Sequence, residues 1–234
     1  MHRFYISEVS GDTCKLSEEE SKHCIRVLRL EQNDMVEITD GRGNLFKAII
    51  ENANPKACVL RITEHHKEPF PSWELLVAVA PTKNMARMEW LMEKLTEIGF
   101  TKLIPVECHN SERVVLKTER LKKIALEAMK QSGRVYLPQV EELTSFKNLI
   151  DKYHSFAGQK FIPHCNDSER KTISSAYKKG ESAMVLIGPE GDFTEEEVKL
   201  AINAGFIPVT LNENTLRTET AALVAAVALK MINE

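Results

Sequence analysis

The sequence predicts an α/β fold: a parallel sheet covered by helices, preceded by a small strand-rich domain. Three observations predict it. Residues 1–70 hold closely spaced segments rich in Val, Ile, Phe and Thr, with turn residues between them. From Trp73 onward, continuous apolar segments alternate with helical patterns, which calls for a parallel sheet buried on both faces. Between the two lies HHKEPFPS (residues 65–72), whose two prolines and charged residues mark a boundary. The expected domains are therefore 1–70 and 73–234.

In the first domain MHRFYIS, DMVEITD, NLFKAIIEN and KACVLRIT read as strands. Gly11-Asp12, Asn33-Asp34, Gly41-Arg42-Gly43 and Asn54-Pro55 supply the turns, and such spacing suggests a small β-barrel. One helix interrupts them. Ser17 with Glu20 three residues later is a capping-box signature, and the segment following it is expected to run helically through Leu30. On that helix Lys22, Arg26 and Arg29 fall at i, i+4 and i+7, a cationic stripe.

The second domain opens with WELLVAVA as a buried strand. Residues 84–98 place Met85, Met88, Met92 and Leu95 on one helical stripe, stopped by Gly99; a core or interface role suits these methionines better than a cofactor contact. KLIPVE is the next strand and TERLKKIALEAMKQSG the next helix. Residues 138–180 carry no clear period. AMVLIG (strand), TEEEVKLAINAG (helix, stopped by Gly205), FIPVTL (strand) and TETAALVAAVALKMI (helix) complete the chain. Ligands of such sheets bind beyond the carboxyl ends of the strands, which directs attention to the loops after Ile187 and Leu211.

Composition narrows the function classes. With 234 residues, 43% hydrophobic and 28% charged, the chain can bury a full core without disulfides or a structural metal. Cys14, Cys24, Cys58, Cys108 and Cys165 are scattered without a CxxC pair, so free thiols are expected and no metal site. No apolar run reaches the length of a membrane span and no secretory signal opens the chain, so a cytoplasmic protein is expected. A net charge of −3 leaves a nucleic-acid partner open, since a basic patch can be local.

Two loops carry chemistry. Gly188-Pro189-Glu190-Gly191-Asp192 joins a strand to a helix whose Thr194 and Glu197 form a second capping box. Its glycines permit close backbone approach. It is no Walker loop, and Glu190, Asp192 and Glu195–Glu197 would repel a polyphosphate; a neutral or cationic ligand fits better. The second loop, Leu211–Ala221, precedes a helix that Thr218 is expected to cap. Arg217 then stands at the positive end of the helix dipole. Either it pairs with Glu213 or Glu219 on the surface, or its guanidinium points into the ligand crevice toward something anionic.

The pair IGPEG (residues 187–191) and LRTETA (residues 216–221), in that order near the C-terminus, resembles the RsmE family of methyltransferases within the SPOUT superfamily. HRFY, HCIRVLRL, PTKNMARMEWLMEKLTEIG, SERVV and IALEAMKQSGR also sit where that family has similar segments, so the resemblance spans nearly the whole chain. It implies a PUA-like β-barrel that helps hold RNA, followed by a SPOUT domain tied in a trefoil knot and working as a homodimer. It implies S-adenosylmethionine as cofactor and N3 of a uridine in 16S ribosomal RNA, within the small (30S) subunit, as methyl acceptor. Gly188, Pro189, Glu190 and Gly191 match the family's cofactor loop; Leu211, Leu216, Arg217, Thr218 and Ala221 match its second loop. Asp192 stands where the family commonly has glycine, and Asn212-Glu213-Asn214 replaces a Gly-x-Arg stretch.

Uracil N3 becomes nucleophilic only as its proton leaves, and the charge spreads onto the flanking oxygens. A fixed guanidinium suits that charge, which assigns catalysis to Arg217; Glu219 either accepts the proton or orients Arg217. Arg3, Lys22, Arg26 and Arg29 are the barrel-side candidates for RNA phosphate, and Lys83, Arg87 and Arg113 those near the cleft. Two readings compete: a SPOUT methyltransferase acting on tRNA or another rRNA nucleotide, and a non-catalytic RNA-binding assembly factor.

Overall fold

The computed structural model describes residues 1–9, 11–164 and 171–234. Cys165 and part of the unassigned middle segment lie outside the described residues. The chain divides into two compact units. One comprises Met1–Phe70 together with Leu126–Leu137; the other comprises Pro71–Ala125 and Pro138–Glu234.

The first unit is built on β1 (Arg3–Tyr5), β2 (Thr13–Lys15), β3 (Met35–Thr39), β4 (Asn44–Asn52) and β5 (Val59–Lys67), ordered β1-β3-β4-β5-β2 in one mixed sheet. Only β1 and β3 run parallel. The β4–β5 register shifts at Lys47/Ala48 and again at Ile50/Asn52, and such irregularities curl a sheet. Alternation along the strands sends Val36, Ile38, Ala48, Ile50 and Leu60 into a core with Phe4, Leu16, Cys24 and Cys58.

Helix α1 (Glu18–Lys22) starts as the sequence suggests: Ser17 Oγ accepts from Glu20 N at 3.2 Å. The return arm of the capping box is missing, because the Glu20 carboxylate instead meets Lys130 at 2.7 Å. The helix also stops short of Leu30. His23–Val27 form a π turn, closed by Leu28 N donating to His23 O, and Arg29 has φ +57°. A wider turn followed by a left-handed residue breaks the 3.6-residue phase. Lys22, Arg26 and Arg29 therefore do not form a helical stripe.

The second unit contains β6 (Leu75–Val79), α2 (Met85–Ile98), β7 (Lys102–Glu107), β8 (Gln139–Val140), β9 (Thr144–Ser145), α4 (Phe146–Lys152) and β10 (Gln159–Pro163). It continues through β11 (Lys171–Thr172), α5 (Ile173–Ala176), β12 (Ala183–Ile187), α6 (Glu195–Asn203), β13 (Phe206–Thr210) and α7 (Thr218–Asn233). Between β7 and β8 runs α3 (Glu119–Ser132), whose last residues belong to the first unit. The sheet is parallel throughout, ordered β11-β13-β10-β12-β6-β7-β8, with β9 beside β7.

Strands β6 and β12 are buried at every position, as their unbroken apolar runs require. Asn84 caps α2 through Ala86 N, and Gly99 ends it at φ +86°. Met88 and Met92 are fully buried, so the methionine stripe serves the core. One buried cation escaped the sequence reading. Lys160 on β10 is 6% exposed and donates to the carbonyls of Ala204 (2.6 Å), His154 (3.0 Å) and Tyr153 (3.3 Å). Burial pushes its pKa down, and the three carbonyls fasten β10 to the end of α4 and to the α6–β13 turn. Among the described residues, no helix is long and apolar enough to cross a membrane.

Candidate active site

The loops after β12 and β13 meet. With Pro163 and His164 at the end of β10, they line a cavity of about 440 Å³ beyond the carboxyl ends of the central strands. Of the residues the sequence assigned to a cofactor, Gly188, Pro189, Glu190, Leu211, Leu216, Thr218 and Ala221 line it, and Gly191 does not.

The two glycines have another reason than ligand approach. A Cβ on Gly188 would lie 3.0 Å from the Phe193 ring, and one on Gly191 would lie 3.1 Å from Asn110 Cβ. At both positions a side chain would crowd protein atoms, which would have to give by a few tenths of an ångström. Neither glycine is left-handed, but Asp192 is, at φ +57°. The departure from the family's glycine thus falls where the backbone favours glycine. Asp192 holds the turn by donating from N to Pro189 O (3.0 Å) and accepting from Phe193 N at Oδ1 (2.9 Å). The helix behind is fixed by a complete capping box between Thr194 and Glu197.

Thr218 does not cap α7. It is the first helical residue, and its Oγ1 donates to Gly188 O at 3.1 Å, joining the second loop to the first. Arg217 occupies the cap position without a side-chain capping bond; it is exposed and lines the cavity. Neither Glu213 nor Glu219 pairs with it, and among the described residues its guanidinium has no carboxylate partner. Glu219 faces Arg87 instead, with Oε1 at 3.6 Å from Nε. Glu219 is 7% exposed and lies off the cavity wall, and its Oε2 is buried without a hydrogen bond among the described residues. Arg87 does line the cavity. The expectation that Glu219 orients Arg217 therefore gives way to a contact with Arg87.

The remaining cations are placed unequally. Lys83 is exposed and pairs with Glu112 at 2.8 Å, a bond that raises its pKa. Its backbone N donates to Glu190 Oε1 at 3.2 Å. Arg113 spends Nε and Nη2 on the carbonyls of Thr82 (3.1 Å) and Lys83 (2.7 Å). In the first unit, Arg3 is bound to Glu37 at 2.8 Å and to Arg134 O, which occupies it internally. Lys22 pairs with Glu18, whereas Arg26 and Arg29 are exposed.

Known proteins agree with this architecture. The sequence model of an RNA methyltransferase domain matches residues 68–230, and that of an RNA methyltransferase PUA domain matches residues 16–63. A Synechocystis protein named ribosomal RNA small subunit methyltransferase E is 32% identical over 221 residues, 89% of this chain and 70% of the relative. The chain belongs to the RsmE family of RNA methyltransferases. Among solved structures, a probable rRNA-methyltransferase from Porphyromonas gingivalis superposes on this RsmE-family chain with a TM-score of 0.91 at 37% identity. That match covers 100% of this chain and 98% of the other. Ribosomal RNA small subunit methyltransferase E from Neisseria gonorrhoeae, solved bound to S-adenosyl methionine, superposes at 0.86 with 27% identity, covering 100% and 98% of the two chains. The PUA-like and SPOUT-type units expected from the sequence are thus the units this family possesses.

Proposed function

We propose that this RsmE-family protein uses S-adenosylmethionine to methylate N3 of a uridine in 16S ribosomal RNA of the small subunit. The observation that carries the reading is the single cavity made by both motif loops, with Arg217 at its wall and unpaired among the described residues. The cavity is the right size for a cofactor, and the lining suits a cationic one: Glu190, Asp192 and Glu213 stand there against Arg87 and Arg217. Residues 187–190 and 209–212 line the cavity, and neither motif loop is a Walker loop.

Bound S-adenosylmethionine would supply an electrophilic methyl group on a sulfonium. Gly188–Glu190 and Leu211–Leu216 would hold and orient it, because methyl transfer depends chiefly on alignment. Arg217 would stabilise the negative charge that develops on the uracil oxygens as N3 gives up its proton to solvent. Glu219 is better placed to hold Arg87 than to touch the base, so we assign it to positioning and Arg87 to the cleft. Arg26 and Arg29 on the PUA-like unit, and Lys83 beside the cleft, are the exposed cations that would meet phosphate. A second copy of the chain fits α7, where Leu223, Val224 and Val227 stay half-buried and Met231 is 69% exposed. The family resemblance adds a trefoil knot.

The test is to incubate the protein with labelled S-adenosylmethionine and hypomethylated small subunits, then map the methyl group by mass spectrometry. A 3-methyluridine in 16S rRNA is the expected product; a methyl group on another base, or on tRNA alone, would displace the reading. Light scattering at micromolar concentration is expected to give about twice 26.5 kDa.

A further inference from the structure

The segment Cys108–Arg113, between β7 and α3, contributes nothing to the cavity wall. Yet it reaches the backbone that follows Glu190 and the backbone that bonds the Glu190 carboxylate. Asn110 Nδ2 donates to the carbonyls of Gly191 and Asp192, each at 3.1 Å. With both oxygens committed, those peptide planes cannot rotate without breaking the bonds, so Glu190 is followed by a pinned residue. The fit is close as well, for a Cβ on Gly191 would lie 3.1 Å from Asn110 Cβ.

Three residues on, Arg113 spans the carbonyls of Thr82 and Lys83. A guanidinium on two carbonyls is a charge-assisted fork, stronger and more directional than a neutral contact. The stretch it holds does two things for the cavity. Lys83 N donates to the Glu190 carboxylate, and Asn84 caps α2, which carries Arg87. The segment is itself anchored: Cys108 N donates to Ser111 Oγ at 2.9 Å, Ser111 N to Cys108 O at 3.1 Å, and His109 N to Glu197 Oε1 at 2.8 Å. Glu197 is the capping-box residue of α6, the helix that the Gly188–Asp192 loop enters.

We infer that Cys108–Arg113 is a brace that preorganises the cofactor seat, with Asn110 and Arg113 as positioning residues that touch neither cofactor nor base. The inference rests on the cofactor reading of the cavity given above. It also removes Arg113 from the RNA-binding set, since its guanidinium serves the protein's own backbone.

The test uses Asn110→Ala and Arg113→Ala in the full chain, with Arg113→Lys as the conservative variant. Hydrogen–deuterium exchange of residues 188–193 without ligand reads the brace directly. It is expected to quicken in Asn110→Ala. Calorimetric Kd and steady-state KM for S-adenosylmethionine are expected to rise roughly tenfold in each alanine variant, while kcat at saturating cofactor stays within about threefold. Arg113→Lys should recover part of the loss. Unchanged exchange together with an unchanged Kd in folded Asn110→Ala and Arg113→Ala would overturn the inference and leave the cofactor reading standing. Failure of the wild-type protein to bind S-adenosylmethionine would overturn both.

Discussion

The two loops of the cavity are built differently. Gly188–Asp192 is held from four directions: Thr218 on Gly188, Lys83 N on Glu190, Asn110 on Gly191 and Asp192, and Asp192 on Pro189 and Phe193. In the second loop, Asn212–Thr215 is exposed, and among the described residues the side-chain bonds shown are Thr210 Oγ1 to Asn212 O at 3.0 Å and the shared one from Thr218 Oγ1 to Gly188 O at 3.1 Å. The braced loop makes a fixed seat. The sparsely bonded one carries Arg217. On the proposed reading both loops hold the cofactor and only the second adds chemistry, through Arg217, which predicts opposite kinetic signatures for substitutions at Gly188–Asp192 and at Arg217.

The largest effect belongs to Arg217. Arg217→Ala is expected to cut turnover roughly a hundredfold or more while cofactor affinity changes little, the pattern of a donor used mainly in the transition state. Arg217→Lys keeps charge but not the planar fork and should also be impaired. Single-turnover methylation beside calorimetry reads both, and near-normal rates in Arg217→Ala would end the division of labour. Next comes Gly191→Val, whose side chain would strike Asn110 and displace the seat. It should fold and lose at least about tenfold in S-adenosylmethionine affinity, roughly 1.4 kcal/mol.

The Arg87–Glu219 pair sharpens the contrast, because it lies between α2 and α7. Glu219→Gln and Arg87→Ala are each expected to lower turnover by roughly tenfold, and the double variant by no more than either alone. Additive losses would show that the two side chains act separately and would return Glu219 to the role of proton acceptor. The smallest effect is expected at the seat's own turn. Asp192→Gly relieves a left-handed backbone but removes the bond to Phe193 N, so stability should change by less than about 1 kcal/mol. Thermal unfolding measures it, and a larger loss would mean the Asp192 side chain holds more of the loop than that bond.

Much of this was legible in the sequence because it is written in contiguous segments. NLFKAIIEN and KLIPVE coincide with β4 and β7 from end to end, since turn residues bound each run. The motif loops were equally readable as glycine, acid and arginine at strand-to-helix junctions. Other features have no local signature. Strands β8, β9 and β11 have two residues each, too few to show a period. The π turn at His23–Val27 has the composition of an ordinary helix. The Asn110 contact joins residues 81 and 82 positions apart, and the Glu219–Arg87 contact is equally non-local. Thr218 looked like a cap by type and position, but the Gly188 carbonyl claimed its hydroxyl.

The most direct measurement of the divided cavity is single-turnover methylation of small subunits at rising cofactor concentration, run on Gly191→Val and Arg217→Ala together. The account predicts that saturating S-adenosylmethionine brings Gly191→Val back to within about threefold of the wild-type rate, whereas Arg217→Ala stays roughly a hundredfold slow at every concentration. Rescue of Arg217→Ala by cofactor, or a Gly191→Val rate that stays low at saturation, would contradict it.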